Sequence, residues 1–264
     1  YMTTPIPDLS FRDYTDRQYR ELEPERLLER TMELRPSGNY KRHLAGWEPQ
    51  PYPGFAVVSM LDENPGNESL SGQLTSIQED LLRLCPWKDS LYFLPASSFH
   101  QTVANTLSED RFLQHILHPG LEPVYPGMVA AAFGRISAPL QAGAIRMKMI
   151  GLGIFGTALG LLGVFEEEES YRQVLHFRSG FYADEDLAKV GVKRTRPFIG
   201  HITLAYIETA LTSGLKEQLA GAVFKINQSL SKAPPFFVLS HTELRRYEHL
   251  SEFALGVGYP RYSF

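Results

Sequence analysis

The sequence predicts an α+β fold, and three observations lead to it. Amphipathic runs at helical spacing alternate with short β-branched or polar–apolar alternating runs, so both element types are present. The apolar runs at about 144–153 and 155–162 are separated by barely a turn. Near the end of the chain, "PPFFVLSHTELRRYEH" and "EFALGVGY" follow one another with no helix between them. Parallel neighbours need a crossover of about a dozen residues or more. These strands therefore pair antiparallel, and a doubly wound parallel sheet is disfavoured.

In chain order, "TDRQYRELEPERLLERTMELR" at 15–35 carries acid–base pairs at i,i+4 spacing, and Pro24 is placed to open a second helix. "PSGNYKRHLAGWEPQPYPG" at 36–54 is punctuated by proline and glycine and reads as a connector. Residues 1–51 thus form an N-terminal helical extension and connector, and 52–264 the main domain. "FAVVSML" at 55–61 is a strand by its β-branched content. In "ESLSGQLTSIQEDLLRLCPW", Leu70, Leu74, Ile77, Leu81 and Leu82 recur at helical period. "SLYFLPASSFHQTVAN" at 90–105 returns as a strand, and further strands are predicted at about 128–137, 144–153 and 155–162. A helix over "EESYRQVLHFRSGFYA", the strand "GHITLAYI" and a helix over "GLKEQLAGAVFKINQSLSK" precede the two C-terminal strand segments.

Composition narrows the function classes. Of 264 residues, 43% are hydrophobic and 21% charged, with a net charge of −4, as expected for an ordinary globular chain. Extended nucleic-acid binding shows as a basic face, which this balance does not advertise; a small nucleotide-like ligand needs only a few donors. Cys85 is the single cysteine, so an internal disulfide and a multi-cysteine zinc site are excluded, and a reducing, cytoplasmic location fits best. "YMTTPIPDLSFRDYTDR" has no apolar core of the secretory type. "MIGLGIFGTALGLLGVF" at 149–165 is uncharged but short for a membrane span, holds five glycines, and reads as two buried strands turning near Gly156. Its "GLGIFG" is a formal G-x-G-x-x-G, but more β-like sequence follows where a dinucleotide fingerprint needs a helix. No obligate protein partner is evident.

Chemistry concentrates in two strands. "FHQTVAN" at 99–105 and "GHITLAY" at 200–206 each place His-x-Thr before an aliphatic residue. Strand alternation puts His100 with Thr102, and His201 with Thr203, on one face. With 8 histidines, about one His-x-Ser/Thr is expected by chance. A further match, "HLS" at 249–251, lacks the apolar context because Glu252 follows it. Two matches in the same strand context, one in each half of the chain, carry more weight than any one.

On these motifs, 101 positions apart, residues 52–262 resemble the 2H phosphoesterase superfamily, marked by two His-x-Thr/Ser-hydrophobic motifs about a hundred residues apart. The resemblance implies two pseudo-symmetric lobes of antiparallel-rich sheet with helices outside (about 52–127 and 128–264), enclosing a central cleft with one motif strand from each. It implies His100 and His201 as the catalytic pair and Thr102 and Thr203 as the hydroxyls that hold phosphate. Tyr206 stands where many relatives carry a basic residue.

The residues support that chemistry by themselves. A phosphodiester needs a base for the attacking oxygen and an acid for the departing one, and imidazole fills either role near neutral pH. Threonine hydroxyls can donate to the non-bridging oxygens as charge builds there. No cofactor and no metal is required: two histidines flanked by threonines lack a third zinc ligand. The expected substrate is a nucleoside 2′,3′-cyclic phosphate or an RNA end. Tyr206, Phe99 and Tyr52 are candidates to stack a base, and Arg246 to offer a guanidinium; core packing and a solvated strand edge are their competing readings. Two other readings stay open: a structural pair of polar strands, and a nucleotide-binding sensor or scaffold without turnover.

Overall fold

A computed structural model describes residues 6–87, 89–138 and 143–264, and their fold is α+β. Two helices open it, α1 (Phe11–Arg20) and α2 (Pro24–Met32). Ser10 caps the first through its side chain, and Pro24 opens the second, as its fixed φ favours. The predicted connector instead holds a hairpin, β1 (Tyr40–His43) and β2 (Gly46–Pro49), turning at Gly46, whose φ of +132° suits glycine. There follow β3 (Gly54–Met60), α3 (Glu68–Leu84), β4 (Leu91–Phe93), β5 (His100–Ser108) and the short α4 (Glu109–Phe112). The second half contains α5 (Tyr125–Arg135), β6 (Ile145–Phe155), β7 (Ala158–Phe165), α6 (Glu168–Tyr182), α7 (Glu185–Lys189) and β8 (His201–Ile207). The chain ends with α8 (Ser213–Leu230), β9 (Phe236–Leu239), β10 (His241–Tyr247) and β11 (Arg261–Ser263).

Beyond the β1–β2 hairpin the strands form two sheets, ordered β11-β10-β3-β5 and β4-β8-β7-β6-β9, and every pairing is antiparallel. The uncharged stretch at 149–165 is the β6–β7 pair, almost wholly buried and turning at 156–157. Among the described residues no helix is long and apolar enough to cross a membrane.

Four expectations are corrected. The segment near 128–137 is the helix α5, not a strand: Pro126 sits in its first turn, and Val129, Ala132 and Phe133 bury one face at helical spacing. The run 90–105 is two strands in different sheets, because Pro95 lacks a donor and the chain turns through a 3₁₀ segment at Ala96–Ser98. The run 234–249 likewise divides at Ser240, where Asn64 Oδ1 accepts from Ser240 N and His241 N. "EFALGVGY" contributes only a bridge at Ala254; Gly258, with φ +75°, turns the chain into β11 instead. The sheets consequently draw strands from both sides of residue 127: β4 joins the sheet of the second motif, and β10 and β11 join that of the first.

The N-terminal helices are built into the same body. Tyr14 is fully buried and donates to Gly163 O at 2.6 Å, while Gln18 Nε2 donates to Gly163 O and to Gly200 O, the residue before His201. Asp8 pairs with the buried Arg178 of α6 and accepts from Phe198 N at 2.7 Å.

Candidate active site

β5 and β8 lie against each other where the two sheets meet. Each carries its His-x-Thr motif at its start, half-buried, with the residue between them, Gln101 in β5 and Ile202 in β8, fully buried. Both strands then take on an extra residue. Opposite β3, Thr102 and Ala104 face consecutive residues, so Val103 bulges; opposite β7, Thr203 and Ala205 do the same around Leu204. A bulge shifts the alternation by one residue, so the next side chain on the polar face comes three positions after the threonine, not two. That brings Asn105 and Tyr206 onto the faces of His100 and His201. A second irregularity in β5 adds Ser108 to its set. The offset of 101 residues thus holds for histidines, threonines, bulges and the position after them.

The two sets line one cavity of about 320 Å³ together with Tyr52, Arg196 and Tyr247. This volume lies at the lower end for small-molecule sites. The imidazoles are held alike. His100 Nδ1 lies 2.7 Å from Ser98 O, and His201 Nδ1 lies 3.0 Å from Ile199 O. A carbonyl can only accept, so Nδ1 carries the proton on both rings, and Nε2 is left as the group that exchanges protons with a ligand. Phe253 packs at 4.2 Å from the His100 ring and Phe155 at 5.1 Å from that of His201. Burial against these surroundings pushes both imidazoles down, to a pKa of about 4, against a smaller opposing effect of the carbonyl bonds. Arg196 and the other imidazole add to the depression at His201.

The outer edge of β5 is closed by α6. Arg178 donates to Val103 O at the bulge and to Arg196 O, and Tyr182 donates to Asn105 O at 2.9 Å. One buried guanidinium therefore fixes the first motif strand and the segment leading into the second.

Of the other candidates, Tyr52 and Tyr206 line the cavity. Phe99 does not: it is 1% exposed and packs in the core behind His100. Arg246 is turned away as well. It lies on an interior strand rather than a solvated edge, pairs with Glu122 and Glu248, and sits over the Phe112 ring. Its neighbour Arg245 is buried and occupied by Glu243 and Glu63. The cation that lines the cavity is Arg196, within the basic run "VKRTRP" just before the second motif. That run was the signal available in the sequence; Asn105 could have been found by carrying the 101-residue offset past the threonines. "HLS" at 249–251 lies in a turn. Among the described residues, Glu63, His241 and Glu243 come within metal-ligand reach of one another. Their carboxylates already accept from Arg245 and Arg261, and none of the three lines the cavity.

Residues 42–115, which include the first motif, match the family described as "2H-phosphodiest: Domain of unknown function (DUF1868)". No curated protein sequence matches the chain. Among solved structures, a conserved protein of unknown function from Agrobacterium tumefaciens is similar at 20% identity and a TM-score of 0.58, covering 78% of this chain and 85% of that one. LigT of E. coli, solved in complex with 3′-AMP, is 17% identical with a TM-score of 0.41, covering 82% of this chain and 96% of its own. The family match thus covers the first motif, and an equivalent His-x-Thr strand lies 101 residues on, so the chain is similar to the 2H phosphoesterases over both motif strands.

Proposed function

We propose that this protein is a metal-independent phosphodiesterase that opens a 2′,3′-cyclic phosphate, or processes a phosphodiester at an RNA end, by acid–base catalysis between His100 and His201. The observation that carries the reading is the equivalence of the two imidazoles. Both are locked through Nδ1 by a carbonyl two residues upstream, and both lie along one cavity. A phosphate between them meets a neutral Nε2 that takes the proton of the attacking water and a protonated Nε2–H that donates to the departing ribose oxygen. The products are a monoester and a free hydroxyl, and the two rings have exchanged protonation states. Thr102 and Thr203 are placed to donate to the non-bridging oxygens, where negative charge grows. Tyr52, Tyr206 and Tyr247 supply aromatic surface for a base.

The test is turnover of a panel of nucleoside 2′,3′-cyclic phosphates by purified protein, with and without exhaustive chelation. Hydrolysis to a monoester that survives chelation is expected, because an imidazole pair does the proton transfer a metal-bound water would otherwise do. Saturable nucleotide binding with no turnover would replace the enzyme by a sensor or scaffold using the same cavity.

A further inference from the structure

A second, smaller pocket of about 200 Å³ opens off the catalytic cavity. The two share a wall along Asn105, Ser108 and Arg196, and the smaller one adds Arg111 and Thr195. Its two guanidiniums, half-buried Arg111 and exposed Arg196, differ from Arg178, Arg245 and Arg246. Those three are each matched to a carboxylate. Among the described residues, Arg111 and Arg196 form no ion pair. Arg111 donates to Gly191 O and Arg196 to Asn105 Oδ1 at 3.0 Å, both uncharged acceptors that aim the side chains without neutralising them. No carboxylate lines the pocket. Glu109 lies beside Tyr52, on a backbone with φ of +50°. Two cations facing one small space repel each other, and an anion placed between them relieves that cost.

Resting on the proposed phosphodiesterase reading, we infer that this pocket is a second anion subsite, and that the preferred substrate carries two phosphates: one at the histidines and another, on the 5′ side of the same ribose, between Arg111 and Arg196. The shared Arg196 ties the two groups to one molecule, since a ligand held in the cavity reaches the side pocket past a single side chain. Planar guanidinium forks match phosphate oxygens in pairs, which a single lysine does not. The second phosphate has two sources of the same chemistry, a terminal 5′-phosphate or the next diester of an RNA chain.

Calorimetric titration of the full chain separates these cases without relying on turnover. Adenosine 3′,5′-bisphosphate is expected to bind at least about tenfold more tightly than 3′-AMP, the scale of one added charge-assisted hydrogen bond. Arg111→Gln should bring that ratio close to one. Because Arg111 also holds the Gly191 carbonyl, Thr195→Glu provides a second variant that places a carboxylate at the exposed rim and leaves that bond intact; it should collapse the ratio too, in protein of unchanged melting temperature. A dinucleotide ending in a 3′-phosphate identifies the source: affinity equal to or above that of the bisphosphate assigns the pocket to an RNA chain, and weaker affinity assigns it to a terminal 5′-phosphate. Equal affinity of wild type for 3′-AMP and the bisphosphate, or a ratio that persists in both variants, overturns the subsite. With hydrolysis of cyclic nucleotides intact, that result leaves the phosphodiesterase standing. Preferential binding of the bisphosphate by a protein that hydrolyses nothing keeps the subsite and removes the phosphodiesterase.

Discussion

The imidazoles of His100 and His201 sit at a pKa of about 4 in the empty cavity, so at pH 7 only about one ring in a thousand is protonated. Catalysis needs one neutral and one charged ring, and the substrate itself is expected to supply the difference. A phosphate monoanion about 4 Å from an imidazolium stabilises it by roughly 4 kcal/mol at an effective dielectric constant of about 20. At 1.36 kcal/mol per pH unit, that raises one imidazole by about 3, to near 7. The second ring, now beside a cation as well as an anion, gains less and stays neutral. Anion binding should therefore take up a proton between about pH 4 and pH 7, and affinity should fall as pH rises across that range and level off above it. For the ligand-free protein the sign is fixed by the same depression. A folded-state value below the unfolded 6.5 contributes stability that is present above pH 6.5 and lost as pH falls toward 4. The assay is NMR titration of the two ring Cε1–H resonances, assigned by His→Asn variants, with and without saturating 3′-AMP. The expected result is two midpoints well below 6.5 in the free protein, and one of them displaced upward by about 2–3 pH units in the complex. Two rings that titrate near 6.5 and ignore the nucleotide would show that they do not share a desolvated, anion-binding cleft.

Other outcomes follow from the same geometry. His100→Ala and His201→Ala should each lower turnover by about 10²–10⁴, and the double variant by far less than the product of the two, since a matched acid and base act as one unit. Thr102→Ala and Thr203→Ala should cost less, about 1.5–3 kcal/mol each in kcat/KM, the worth of one hydrogen bond to a charged oxygen. Arg178→Ala leaves Asp8, among the described residues, with only Arg194 as an ion-pair partner, 3.6 Å away, in a site where the Asp8 and Arg178 side chains are almost wholly buried, and frees Val103 O and Arg196 O. Urea denaturation should show a loss of about 3–5 kcal/mol. Gly200→Ala would drive a methyl group to 2.5 Å from Tyr14 Oη and onto the Met147 methyl. A loss of about 1–3 kcal/mol is expected, and unchanged stability would show that α1 does not hold the start of β8.

Much of the site could be read from the sequence because its chemistry rests on short-range rules. Strand alternation placed each threonine beside its histidine, and the shared spacing joined two strands that lie far apart in the chain. Tyr206 was reached too. Asn105 was not, because a bulge is a feature of strand pairing and is not visible in one strand alone. Arg196 was missed for a related reason: it lies outside any regular element, and only the folded path of 191–200 brings it to the cavity. Arg246 shows the opposite error. The alternation of "HTELRRY" puts one arginine on each face, but cannot say which face is concave or that Glu122 waits on the other. In the fold, α3, α6 and α8 were legible from their apolar spacing. The helix α5 was not, since "MVAAAFGRI" mixes β-branched and aromatic residues whose helical face emerges only against α6 and β11. The exchange of β4, β10 and β11 between sheets turns on Pro95 and on the Asn64 bonds at Ser240, which are tertiary choices.

The Asp8–Arg178 pair also bears on how the chain folds. Asp8 precedes its partners Arg178, Arg194 and the amide of Phe198 by 170 residues or more. The first motif strand depends on distant segments in the same way: its edge is closed by α6, and its sheet is completed by β10 and β11. Contacts of such long sequence separation slow folding and prolong the exposure of unpaired strand edges. Until β10 is in place, β3 and β5 therefore stand as an incomplete sheet.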